Sequence, residues 1–232
     1  MNPIVIIPTY EEAENISRLI TLVRKAGCDI LVVDDNSPDN TGGIVSEISK
    51  TDRNVMLLNR LTERGRGTAG VAGFKWCLQK GYQIIIEMDA DFSHNPRYLT
   101  IMVEEILKGA DVVVGSRFIN GGADIGRSKH RQLITAFARK YMQTILGLKT
   151  KDCTSGYRAF KSEVLESIDL DSMAAKGPNI VQEVLYNIEK QNKYIIKEIP
   201  IKFIDREKGK SKLGWRGLIT GFFYILYLRW RG

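Results

Sequence analysis

Through the first half of the chain, apolar runs of four or five residues alternate with stretches of helical spacing. Residues 4–8, 30–34, 55–58, 84–88 and 112–115 are rich in Ile, Val and Leu, the pattern of strands buried on both faces. Between them, residues 13–26, 42–50, 68–80 and 97–108 have the length and periodicity of helices. This alternation predicts an α/β fold, a mostly parallel central sheet with helices on both faces. In such a sheet ligands bind beyond the carboxyl ends of the strands, so the residues after each apolar run carry the most information.

Four polar clusters fall there: Pro8-Thr9-Tyr10-Glu11-Glu12, Asp34-Asp35-Asn36-Ser37-Pro38-Asp39, Asp89-Ala90-Asp91, and Ser116-Arg117. The second half is less regular. Residues 131–146 and 179–191 read as helices, 194–199 and 201–205 as extended, and 206–214 as a basic, glycine-containing loop. Residues 218–228 are apolar except for Thr220 and Gly221, and Arg216, Arg229 and Arg231 flank them. A helix of that length spans roughly 17 Å against roughly 30 Å of bilayer hydrocarbon, too short to cross. Two readings stay open: an interfacial helix with aromatics at headgroup depth, or a helix that closes the core.

Composition narrows the picture. The chain has 232 residues, 44% of them hydrophobic, enough for one α/β domain with a full core. Its net charge of +7 is concentrated at residues 201–232, where eight Lys and Arg face only Asp205 and Glu207. Such a tail suits phosphates, an anionic membrane or nucleic acid, but no recognisable nucleic-acid module accompanies it. Cys28, Cys77 and Cys153, with only His94 and His130 beside them, have no zinc-type spacing; buried thiols in a reducing compartment are expected. The first residues lack the basic start and cleavage site of a secretory signal, which predicts a cytoplasmic location.

Asp89 and Asp91 form the strongest candidate site. At spacing i, i+2 in an extended segment, both carboxylates point the same way and can share a cation and a diphosphate. Oxygen ligands without His or Cys favour Mg2+ or Mn2+, which would neutralise charge on a departing phosphate. The alternative is a turn whose Asp side chains cap backbone amides.

The residues around that pair add a resemblance. Met88-Asp89-Ala90-Asp91-Phe92-Ser93-His94-Asn95-Pro96 closely resembles the metal motif of the dolichol-phosphate mannosyltransferases within glycosyltransferase family 2. Further matches follow in family order: Pro8 to Asn15, Val32 to Asp39, Val113 to Arg117 with Gly121-Gly122, Asp152 to Arg158, Glu198-Ile199-Pro200-Ile201, and Arg206 to Lys212. The similarity covers residues 3–214 and implies a GT-A fold with inversion at the sugar's anomeric carbon. It implies a catalytic domain at 1–214 followed by the helix at 215–232.

Roles follow from the resemblance. Pro8, Tyr10, Glu12, Val33 and Asp35 would line the base and ribose of a nucleotide-sugar donor. Asp91 would ligate the metal directly with Asp89 beside it, Asp89 and Ala90 would hold the donor, and Ser93, where many relatives have Gln, would reach the metal through water. Arg117 and Arg131 would hold a polyprenyl or dolichyl phosphate acceptor, and Arg206 and Lys212 the donor diphosphate. Arg66 stands where the family usually has leucine, and Ala138-Arg139 where asparagine is frequent. A phosphate acceptor is largely ionised at neutral pH, so no strong protein base is required; His94 is expected to shape the metal loop, with Glu183 as a weaker base candidate.

The expected activity is transfer of mannose from GDP-mannose to dolichyl phosphate, peripheral to the cytoplasmic face of a membrane and beside a separate membrane-anchoring subunit. The alternatives are a UDP-hexose donor, a polysaccharide acceptor, or nucleotide or nucleic-acid binding without catalysis. Against a processive polysaccharide synthase, the Gln-x-x-Arg-Trp signature is missing, since no Gln stands before Leu228-Arg229-Trp230.

Overall fold

The computed structural model describes residues 2–62, 64–204 and 215–231, with the backbone alone for 215–219. The five apolar runs are strands β1 (Pro3–Thr9), β2 (Asp29–Asp34), β3 (Val55–Asn59), β4 (Ile84–Glu87) and β5 (Val112–Ser116). Between them lie helices α1 (Ala13–Lys25), α2 (Thr41–Thr51), α3 (Arg66–Gln79) and α4 (Leu99–Leu107), the last entered through a 3-10 turn at Pro96–Tyr98. Later in the chain come β6 (Ala123–Ile125), α5 (Lys129–Leu146), β7 (Arg158–Lys161), α6 (Ser162–Glu166), α7 (Ile180–Glu189), β8 (Ile196–Pro200), β9 (Lys202–Ile204) and α8 (Trp215–Arg231).

Among the described residues, seven strands form the main sheet in the order β3-β2-β1-β4-β7-β5-β8. Pairing is parallel except at β7, which runs antiparallel to both β4 and β5. The expected α/β, mostly parallel sheet is therefore present, with one antiparallel strand that the apolar pattern did not announce. β7 is four residues long with a cation at each end, so it lacks the run that marks its neighbours. A second pair, β6 and β9, lies outside this sheet and also went unpredicted, each strand having only three residues.

Alternation along the strands builds two core layers. Val5 and Ile7 join Ile16, Leu19 and Met102 on the side of α1 and α4. Ile4 and Ile6 join Phe74 and Val184 on the side of α3 and α7. All nine side chains are fully buried, each contributing roughly 1.5–3 kcal/mol relative to exposure. Gly73 lets α3 sit close to the sheet, since a Cβ there would come within 2.6 Å of Ile6 Cγ2.

A third cluster joins Met142 and Leu146 of α5, Leu185 of α7, and Ile225 and Leu228 of α8. One face of α8 therefore packs into a core. Its other face leaves Phe222, Phe223, Leu226, Tyr227 and Trp230 exposed. No helix among the described residues is long and apolar enough to cross a membrane. All three cysteines are free and buried, and burial pushes the Cys28 thiol up to about 11.

Candidate active site

Topology gathers the polar clusters at one edge. β1, β2, β4 and β5 are parallel, so Tyr10, Asp35, Asp89 and Arg117 all follow carboxyl ends on the same side. The antiparallel β7 begins at that edge, with Arg158 opposite Glu87 and Val114, and so delivers residues 152–158 to the same place. Four of the five described non-glycine residues with positive φ (Glu11, Asn36, Asn40 and Phe92) lie in the loops after β1, β2 and β4. Each left-handed residue costs about 1–2 kcal/mol, and such strain clusters at functional sites.

The loops after β1 and β2 interlock. The Glu11 and Glu12 amides donate to Ser37 Oγ and Thr41 Oγ1, and the Ala13 amide to Asp39. Asp34 is spent on structure, accepting from Thr9 Oγ1, from Ser37 Oγ and from the Ser37 amide. Asp35, its neighbour, turns instead to the segment between β3 and α3. It accepts from the Gly65 amide at 2.7 Å and pairs with Arg60 at 2.9 Å. Burial raises its pKa above the usual carboxylate value, and Gly65 and Arg60 offset only part of that effect. Pro8 and Val33 are register partners on β1 and β2 beside it. Glu12 opens α1 and accepts from Asn15.

Sequence reading missed Arg60 and Arg64 between β3 and α3, and singled out Arg66, which opens α3, only as a departure from the family's leucine. Arg60 reaches Asp35, Arg64 lies over the Tyr10 ring at 5.3 Å, and Arg66 reaches the acidic motif. Each faces a residue expected to bind the donor. Arg66 donates from Nε and Nη2 to Asp89 Oδ1 at 3.1 and 2.7 Å, and from Nη1 to Glu87 Oε1 at 3.2 Å. The other Glu87 oxygen accepts from Arg158 at 3.0 Å, both side chains being buried. Burial alone would lower the Arg66 pKa; Asp89 and Glu87 reverse that and hold it above the ordinary arginine value. A buried acid at the end of β4 was the available signal, because such a group requires a cation nearby.

After β4 the chain turns sharply. Ser93 donates to Asp91 Oδ1 from both its amide and its hydroxyl, at 3.1 and 2.6 Å, with Phe92 left-handed between them. Ala90 is buried. His94 accepts from the Asp89 amide through Nδ1 at 2.9 Å and stacks on Tyr157. Burial lowers its pKa, consistent with a neutral ring that shapes the loop. Glu183 accepts from the Ala174 and Ala175 amides and from the Tyr224 hydroxyl, which makes it an anchor for α8.

Arg117 commits its Nε–Nη2 edge to Asp152 and its Nη2 also to Thr154, so a phosphate would be met through Nη1. Arg131 lies in the first turn of α5, half-buried, its amide capped by Ser128. Arg206 and Lys212, and the loop that holds them, lie outside the described residues. Among the described residues, no three His, Cys, Asp or Glu side chains gather as a metal cluster. Asp91 and Ser93 offer oxygen ligands, which fit Mg2+ or Mn2+ provided that diphosphate and water complete the shell.

The chain has relatives of known sequence and structure. An undecaprenyl-phosphate mannosyltransferase of Micrococcus luteus is 38% identical over 99% of this chain and 94% of its own length. A polyprenol monophosphomannose synthase of Mycolicibacterium smegmatis is 37% identical over 96% of this chain and 84% of its own. Among solved structures, a mannosyltransferase from Pyrobaculum calidifontis in complex with GDP-mannose and Mn2+ shares the fold, with a TM-score of 0.60 at 16% identity over 99% of this chain and 63% of that one. Residues 4–169 match the glycosyl transferase family 2 profile, and the chain belongs to that family.

Proposed function

We propose that this enzyme transfers mannose from GDP-mannose to a polyprenyl phosphate at a membrane surface, with inversion at the anomeric carbon. The observation that carries the reading is the convergence of Asp35, Asp89, Asp91 and Arg117 on one sheet edge. The names of the relatives in Micrococcus and Mycolicibacterium supply the sugar and the acceptor class.

Pro8, Tyr10, Glu12, Val33 and Asp35 bind the base and ribose, since carboxylates suit ribose hydroxyls and base N–H groups. Asp89 and Ala90 hold the sugar end of the donor, and Arg206 and Lys212 the diphosphate. Asp91, with Ser93, holds Mg2+ or Mn2+ together with the diphosphate; the cation supplies positive charge against the leaving group. The acceptor phosphate has its second pKa near 6. Its ionised oxygen forms the new bond to the anomeric carbon as the bond to GDP breaks, without a protein base. Arg117 and Arg131 orient that phosphate through charge-assisted bonds.

The membrane contact falls on α5 and α8. Leu133 and Phe137 are about 70% exposed and lie on one side of α5 with Tyr141, which stacks on Phe222 of α8 at 4.3 Å. Phe223, Leu226 and Trp230 extend the apolar ridge, and Lys129, Arg131, Lys140, Arg229 and Arg231 supply cations on the same two helices. Such a face suits the interface of an anionic bilayer, peripheral to its cytoplasmic side, with a separate anchoring subunit as a further partner.

The test offers radiolabelled GDP-mannose and UDP-glucose separately, with polyprenyl phosphate and Mn2+, followed by organic extraction. Label from GDP-mannose in the lipid phase supports the reading. Label from UDP-glucose alone, or none in the lipid, overturns it.

A further inference from the structure

Arg66 is built into the acidic motif from two sides. Nε and Nη2 both donate to Asp89 Oδ1, while Nη1 is tied to Glu87, itself about 1% exposed and held by Arg158. The guanidinium also rests on Gly156, where a Cβ would come within 2.5 Å of Nη2. It is therefore anchored by groups that do not depend on Asp89, and it cannot swing away without leaving Glu87.

A divalent ion shared by Asp89 and Asp91 would sit within a few ångströms of this fixed positive charge. Like charges repel strongly where water is scarce, and the guanidinium already neutralises the Asp89 oxygen it grips. Asp91 is oriented by Ser93, whose amide and hydroxyl both donate to its Oδ1. A diphosphate brings negative charge that offsets the arginine. We propose that Arg66 is a positioning residue that withholds Asp89 from the divalent cation, so that the cation binds chiefly together with the donor diphosphate. The proposal rests on the reading of this edge as a metal-dependent nucleotide-sugar site.

The test titrates Mn2+ into the whole protein by paramagnetic resonance, without nucleotide and then with saturating GDP or UDP. Wild type is expected to bind Mn2+ alone at least about tenfold more weakly than with GDP. Arg66→Leu and Arg66→Gln should bind Mn2+ alone about tenfold more tightly than wild type, while Arg66→Lys, which keeps the charge, stays near wild type. Should Arg66→Leu lose its fold, judged by circular dichroism, Arg66→Gln carries the comparison. Neutral variants with wild-type affinity for Mn2+ alone, or Arg66→Lys as tight as Arg66→Gln, would overturn the proposal. The expected variant effects with coupling to UDP rather than GDP would support the role of Arg66 and overturn the donor.

Discussion

Arg117 holds Asp152 by two parallel hydrogen bonds of 2.8 Å each, and its own backbone amide adds a third at 3.0 Å. Both side chains are buried. Burial alone would raise the Asp152 pKa; the hydrogen bonds and charge of Arg117 outweigh it and hold the carboxyl below its usual range. A carboxylate with a depressed folded pKa contributes stability that is present above its unfolded value, about 3.9, and lost as pH falls through the folded value. Asp152→Asn should therefore cost about 3–5 kcal/mol at pH 7, as expected when one partner of a buried pair is removed. In urea melts, the gap from wild type should narrow as pH drops below about 4; a gap independent of pH would contradict the assignment.

Arg131 separates phosphate binding from folding better than Arg117 does, because it is half-buried at the start of α5. Losing a charge-assisted hydrogen bond costs about 1.5–3 kcal/mol, or roughly ten- to hundredfold in affinity. Arg131→Ala is expected to raise the acceptor KM by that factor and leave GDP affinity unchanged in calorimetry. Loss of GDP affinity instead would mean that the two phosphate positions are exchanged.

Asp34 and Asp35 are adjacent in sequence but face different tasks. Asp34→Ala removes the acceptor for Thr9, Ser37 Oγ and the Ser37 amide, and should destabilise the protein by about 1–3 kcal/mol. Asp35→Asn should weaken nucleotide binding well beyond Asp34→Ala, and it also weakens the buried pair with Arg60. Equal loss of nucleotide affinity in both variants would show that the pair is not divided in this way.

The strands that position the site were legible because β1, β2, β4 and β5 are buried on both faces and read as unbroken apolar runs. β7 was not, since a four-residue segment from Arg158 to Lys161 looks like a charged loop until Glu87, 71 residues earlier, is seen to need Arg158. The acidic motif was visible in Asp89 and Asp91; the cations that face it were not. Arg60 and Arg64 sit in a loop with no periodicity and Arg66 opens α3, and their partners are set by how α3 docks, a tertiary fact. Helix α8 escaped a single label because its two faces differ, with Ile225 and Leu228 inward and Phe223 and Trp230 outward.

The outward faces of α5 and α8 give a second test of location. Phe137, Phe223 and Trp230 are all largely exposed, so replacing them with Ser should leave the fold intact. Burying such side chains in an interface contributes about 25 cal/mol/Å2, several kcal/mol for the three together. The triple variant should sediment far less with anionic vesicles while keeping wild-type GDP affinity. Unchanged sedimentation would remove these helices from the membrane contact.

The most direct measurement compares wild type and Asp91→Ala for Mn2+-dependent transfer of labelled mannose from GDP-mannose into extractable polyprenyl phosphate. Wild type should label the lipid only with the divalent cation present. Asp91→Ala, folded by circular dichroism, should lose transfer. Retention of more than about a tenth of the wild-type rate, equivalent to less than roughly 1.4 kcal/mol of lost transition-state stabilisation, would contradict the site.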